Sequence, residues 1–212
     1  YGMGEGAYIA RRKSDIVQRK GFIAQPLYEG DHITTDFVLF NGEVVDWFSF
    51  LGHKDRNGSF ICFESVDYVE QKSLNAAKAI EFPNGIINIE SIDDNIIEMH
   101  LRPSLQFFDI CGGLIENYLA SGKKRDRYKR SKYEKTYSRV WRTKRDGRPK
   151  KPQIYCPYGV SSVQLTYYED CLLSECENDV YTNRVLVVNG KDLTKIEKYG
   201  RILYKKLMGE LK

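Results

Sequence analysis

The sequence predicts an α+β fold: an antiparallel sheet with packed helices, followed by a small C-terminal lobe of strands and a helix. Three observations predict it. Two stretches, 32–53 and 85–102, alternate in polarity on either side of a tight polar turn, as hairpins do. A short segment between them, 73–82, has helical spacing instead. The tail then carries two further strand-like runs and ends on a helical stretch.

In chain order, "YGMGEGAYIARRKSD" opens with Gly2, Gly4 and Gly6 and reads as a glycine loop leading into a strand. "GFIAQPLYEG" is a strand that stops at Pro26, which has no N–H for a central ladder. In "HITTDFVLFNGEVVDWFSFLGH", Thr35, Phe37 and Leu39 alternate with Thr34, Asp36 and Val38, and Asn41-Gly42 is a two-residue hairpin turn. "GSFICFESVDY" is a strand after the "KDRNG" turn. His53, in "GHKDRNG", reads as a turn residue with no catalytic role. "SLNAAKAIEF" is a helix with Ser73 as its cap and Leu74, Ala77 and Ile80 or Glu81 at helical spacing. "GIINIESIDDNIIEMHLR" gives two strands around Asp93-Asp94-Asn95. Residues 105–120 suit a helix that Gly112-Gly113 would weaken. In the next segment Tyr133, Tyr137, Val140 and Trp141 form an apolar stripe on a basic helix ended by Gly147 and Pro149. "GVSSVQLTYYED", "NRVLVVNG" and a helix from about residue 194 to 211 complete the tail. The expected division is 1–122, a basic helical insertion or connector at 123–151, and an accessory lobe at 152–212.

Charge is distributed unevenly. Residues 123–151 hold 15 Lys and Arg against 3 acids, leaving 18 bases against 26 acids elsewhere. One segment therefore carries the whole positive excess, a fact about solvation or partners rather than fold. No apolar run is long enough to span a membrane. Five cysteines without a CxxC pair suit a reducing compartment, and a cytoplasmic location is expected; Cys62 and Cys111 read as buried thiols. The first residue is Tyr1 and no signal-peptide pattern follows it, so a piece of a longer chain is expected.

The chemistry concentrates in "NIESIDDNIIEMHLR". Glu90 and Glu98 flank the turn, and Glu98, His100 and Arg102 alternate onto one strand face. Two carboxylates within reach of each other repel unless a cation sits between them. Magnesium with a nucleotide phosphate supplies such a cation, because it takes one or two carboxylates plus phosphate oxygens. Arg102 would then face developing negative charge. On spacing alone, a solvated hairpin edge with ordinary salt bridges accounts for the same residues.

The order of features resembles the ATP-grasp superfamily, the ATP-dependent carboxylate–amine and carboxylate–thiol ligases and their carboxylase relatives. The resemblance covers about residues 1–122: a glycine loop, a hinge strand ending "QPLYEG", "DHITTDFVLFNGEVV" for the family's "E-x-T-x-D" strand, a helix, and "NIESI…IIEMHLRP" for its metal strands. It implies that Gly2, Gly4 and Gly6 bring backbone N–H groups to the phosphates of ATP. It implies an adenine hinge of Gln25, Pro26, Leu27 and Tyr28, with Gln25 where the family usually has an acid. His32 or Asp31 falls at the ribose position. Glu90 and Glu98 match the metal-bridging acids, His100 stands as a further metal ligand where the family usually has Asn, and Arg102 matches the basic residue after it, so that Arg102 and Glu98 are the expected catalytic residues. The family's lysine before the glycine loop and its substrate domain would precede Tyr1, supplied by the same precursor or by another chain.

Two functions of different class follow. The first is a magnesium- and ATP-dependent ligase that joins a carboxylate to an amine through an acyl phosphate. No Ser–His or Cys–His pair declares a nucleophile, which agrees with chemistry carried by ATP. The second is a non-catalytic relative or a nucleic-acid-binding module, in which the bases of 123–151 and Tyr128, Tyr133, Tyr137 and Trp141 engage an anionic partner. The alternative for that segment is a solvated helix whose aromatic stripe packs on the core.

Overall fold

The computed structural model describes residues 12–16, 26–55, 60–104, 135–142, 153–165 and 184–209. Within them the chain forms β1 (His32–Phe40), β2 (Glu43–Lys54), β3 (Phe60–Val66), α1 (Gln71–Ala79), β4 (Asn84–Ile92), β5 (Asn95–His100), β6 (Tyr137–Arg142), β7 (Val160–Leu165), β8 (Arg184–Gly190) and α2 (Leu193–Leu207). The eight strands make one sheet in the order β5-β4-β1-β2-β3-β6-β8-β7. Every neighbouring pair is antiparallel. Strands from all three segments set apart in the sequence thus share one hydrogen-bonded sheet.

Both hairpins form where the turn chemistry placed them. Asn41 and Gly42 have φ of 51° and 77°, and Asp93 and Asp94 have 49° and 58°. Two consecutive left-handed residues make the turn whose twist matches that of paired strands, and Asn, Asp and Gly tolerate it best. Asn95 already belongs to β5.

The sheet's two faces follow from alternation. On one face Phe37, Leu39, Ile87 and Ile89 are fully buried beneath α1, with Ala77 of the helix among them. The register carries this face through Trp47, Leu51, Glu64 and Tyr137 to Val188. There Leu186 and Val188 pack under Ile196, Tyr199, Leu203 and Leu207 of α2. Both helices therefore cover the same side. Burying each of these large side chains removes apolar surface worth about 1.5–3 kcal/mol. On the opposite face Val38, Phe48, Phe50, Phe63, Ile86, Val140 and Val187 form a second apolar layer.

Four sequence expectations are corrected. Ser73 is not the cap of α1: Glu70 occupies the N-cap, and Ser73 is buried inside the helix. The missing cap comes from the β4–β5 hairpin, since Lys72 N–H donates to Asp94 Oδ1 at 3.0 Å. His53 lies in β2, its Nε2 3.6 Å from Glu64 Oε2. Residues 137–142 of the expected basic helix form strand β6. In that strand Ser138 and Val140 are buried toward one face, while Tyr137 and Trp141 pack against α2. The aromatic stripe fits period two as well as 3.6, and a sheet with an open edge at β3 decides between them. Trp141 lies flat on Gly200 of α2, where a Cβ would run into its ring. Finally α2 spans Leu193–Leu207, capped by Asp192 Oδ1 accepting from Lys195 N–H at 3.1 Å and ended by Gly209 at φ 72°. The expected helix at 105–120 lies outside the described residues, as do Tyr128 and Tyr133.

Candidate active site

The face opposite the helices carries the polar residues of three adjacent strands in two rows. Thr34 of β1 pairs with Glu90 of β4, which pairs with Glu98 of β5. Asp36 pairs with Asn88, which pairs with His100. A one-residue register shift creates this arrangement. Ser91 faces Ile96, but Glu90 faces Glu98, so Ile97 has no partner in β4. A regular hairpin would pair Glu90 with Ile97 and turn Glu98 to the helix side.

Ligand atoms of Glu90, Glu98 and His100 all lie within 4.8 Å of one another, and each residue is half-buried. Each acid also has its own imidazole. His32 Nε2 is 2.8 Å from Glu90 Oε2, and His100 Nε2 is 3.2 Å from Glu98 Oε1. Burial alone would push Glu90's carboxyl up. The His32 hydrogen bond and charge, with His100 and Lys54 beyond, outweigh it and hold the carboxyl below the ordinary glutamate value.

His32, expected at the ribose position, is 6% exposed and paired with Glu90. Phe60 closes its other side, ring edge to face at 4.7 Å. Phe60 reaches it by crossing Gly52, where a Cβ would strike the Phe60 ring. Lys54 Nζ lies over the same ring, 4.7 Å from its centre. Beside His32, residues 30–32 and 51–54 line a cavity of about 310 Å³.

Arg102 departs from the expected strand face. β5 ends at His100, and Arg102 lies in the bend that follows, exposed, its Nη1 donating to Pro103 O at 3.2 Å. Pro103 accounts for the break, having no N–H to continue a ladder and restricting the residue before it. Leu27 is 64% exposed, and Pro26 and Tyr28 precede β1 without strand structure; none of the three lines the cavity beside His32. Gly2, Gly4, Gly6 and Gln25 lie outside the described residues.

Three participants escaped the sequence reading: Asp36, Asn88 and Lys54. Asp36 is 1% exposed, and its pKa is pushed up to about 6 by burial, against the lowering effect of bonds from Ser104 and Asn88 and of the Arg102 charge. Asn88 Nδ2 donates to Asp36 Oδ1 at 2.7 Å and to Thr34 Oγ1 at 2.9 Å. The signal was present in the alternation, which puts His32, Thr34 and Asp36 on one face of β1 and Asn88 and Glu90 on one face of β4.

No protein-family model matches the sequence, and no curated protein matches it. Solved structures do match. Phosphoribosylglycinamide synthetase from Anaerococcus prevotii superposes with a TM-score of 0.55 at 13% identity, over 85% of this chain and 53% of that one. A multifunctional pyruvate carboxylase from Rhizobium etli gives 0.56 at 14%, over 83% of this chain and 21% of that one. L-amino acid ligase from Bacillus licheniformis gives 0.50 at 9%, over 85% and 51%. The chain has the ATP-grasp fold. It spans about half the length of the synthetase and of the amino acid ligase.

Proposed function

We propose that the chain is the nucleotide- and metal-binding part of an ATP-dependent ligase that activates a carboxylate as an acyl phosphate for attack by an amine. The observation that carries this reading is the meeting of Glu90, Glu98 and His100 on one face of an ATP-grasp sheet. The donor set suits magnesium: two carboxylates are what that ion takes from protein, leaving its other positions to water and phosphate. Glu90 and Glu98 would hold it with His100 beside them, and when bound it would offset the charge of ATP's phosphate oxygens.

The chain's own groups have separable tasks. His32 fixes the Glu90 carboxylate by occupying one oxygen, and a carboxylate keeps acceptor capacity on the other. Arg102 is the cation for the oxygens of the transferring phosphoryl group and of the acyl phosphate. On the family resemblance, Gly2, Gly4 and Gly6 would bring backbone N–H groups to phosphate, Gln25, Pro26 and Tyr28 would meet the adenine edge, and Leu27 its face. The three histidines of the chain each pair with a glutamate. ATP would pass its γ-phosphoryl group to the carboxylate oxygen, and the amine would then displace phosphate. Because the chain spans half of the structures it resembles, the residues that choose the acid and the amine are assigned to polypeptide outside it.

Calorimetric titration of ATP with and without magnesium tests the reading. Magnesium-dependent binding is expected for the wild type, and Glu98→Gln should weaken it and lower any ADP formation by at least ~100-fold, with an unchanged circular dichroism spectrum. Binding indifferent to magnesium, or a Gln variant equal to wild type, would reject the metal assignment.

A further inference from the structure

Asp36 is the most deeply buried acid near the cluster, and burying a carboxylate is costly unless it is well bonded. Its bonds do not go to the metal candidates. Ser104 N–H donates to Asp36 Oδ1 and Oδ2, both at 3.1 Å, and Asn88 Nδ2 donates to Oδ1. Ser104 is itself 5% exposed. The carboxylate therefore grips main chain that has just left β5, two residues after Arg102. The segment from Leu101 to Ser104 is thus held at two ends: by Asn88 pairing with His100 in the ladder, and by Asp36 at Ser104. Between these anchors lies Arg102, whose charge is felt at Asp36.

We propose that Asp36 is a positioning residue: by holding the Ser104 N–H it fixes the bend that aims Arg102 at phosphate bound beside Glu90 and Glu98. This rests on the ligase reading for what Arg102 meets. A hydrophobic residue at position 36 would bury more cheaply in a central strand, and the acid is explained by the N–H it satisfies. The same bond holds the bend that keeps Arg102, an arginine beyond the end of its strand, close enough for its charge to be felt at Asp36. Asn88 ties the tether to the acidic row, since the amide that donates to Asp36 also donates to Thr34, opposite Glu90.

The test compares MgATP and MgADP affinities of the wild type, Asp36→Ala, Asp36→Asn, Arg102→Ala and the Asp36→Ala/Arg102→Ala double variant. Amide exchange at Ser104 is followed in each. The wild type is expected to prefer ATP. Arg102→Ala should reduce that preference about tenfold, the order expected for losing one charged phosphate contact. Asp36→Ala should reduce it similarly, and the double variant no further, because both remove the same aimed cation. Asp36→Asn keeps one acceptor oxygen and should retain most of the preference, while Ser104 exchanges fastest in the alanine variant. A merely structural role would lower the melting temperature and leave the ATP-to-ADP ratio alone. The inference falls if Asp36→Ala keeps the wild-type ratio while Arg102→Ala loses it, or if the two losses multiply. If Asp36→Ala does not fold, Asp36→Asn decides: Ser104 exchange faster than wild type with an unchanged ratio overturns it. A wild type that binds neither nucleotide removes the ligase reading and this inference together.

Discussion

Two glutamates that face each other across a hairpin need compensation, and the structure provides it with imidazoles. His32 takes Glu90 and His100 takes Glu98. For Glu90 the His32 partner decides the response to acid. Glu90's folded pKa lies below its ordinary value, so the stability it contributes is present above that value and is lost as pH falls through the folded one. Asp36 behaves in the opposite sense. Its value rises from 3.8 to about 6, so the protonated form is the one the fold favours. That contribution is complete below the unfolded value and is lost as pH rises through about 6. Asp36→Asn cannot ionise, so its stability relative to wild type should rise between those limits by an amount on the order of 2–3 kcal/mol and level off above them. Urea denaturation of both proteins across the range measures it; parallel curves would show that Asp36 does not titrate there. Glu90, Glu98 and His100 were legible as a group from spacing around a turn. The His32 partnership was not, because it joins residues 58 apart that meet only once β1 lies against β4.

At the scale of elements, the acidic hairpin works by an irregularity. Ile97 is the unpaired residue of β5, and the pairings on both sides of it are those the site needs. Deleting Ile97 should therefore leave Glu98 opposite Glu90 and His100 opposite Asn88, with magnesium-dependent ATP binding close to wild type. Deleting Met99 should instead turn His100 to the helix side and pull Arg102 out of place, and binding should fall by about tenfold or more. Equal affinities for the two deletions would show that register does not govern the site. No sequence pattern announced this shift: two strands around a two-residue turn read as regular until the facing side chains are seen. β6 shows a different limit. Tyr137 and Trp141 are apolar at a four-residue spacing both periods share, and only the ladder offered by β3 and β8 makes the segment a strand. The hairpins, α1 and α2 were readable because turn residues and periodicity agree there.

Across the whole molecule, one sheet joins residues from His32 to Gly190, yet its middle is thin. Among the described residues β3 and β6 share three paired positions, Cys62 with Arg139, Phe63 with Ser138 and Glu64 with Tyr137. Beyond that ladder the arginines of β6 take over from its backbone: Arg139 donates to Ile61 O and Arg142 to Phe60 O, both through Nη1. Bonds from a charged donor are each worth roughly 1.5–3 kcal/mol. Val140 and Val187 add apolar packing against Phe63 and its neighbours. The consequence is thermodynamic cooperativity dependent on two side chains. The chain has two tryptophans, and they report on opposite banks of the seam, Trp47 beside α1 and Trp141 beside α2. In the wild type, fluorescence of a Trp141→Phe protein and of a Trp47→Phe protein should trace the same melting curve. With Arg139→Met and Arg142→Met added, the two curves should part, so that the bank carrying the acidic hairpin and the bank carrying α2 melt as separate units. Curves that still coincide would mean that the backbone ladder and the valines couple them without the arginines.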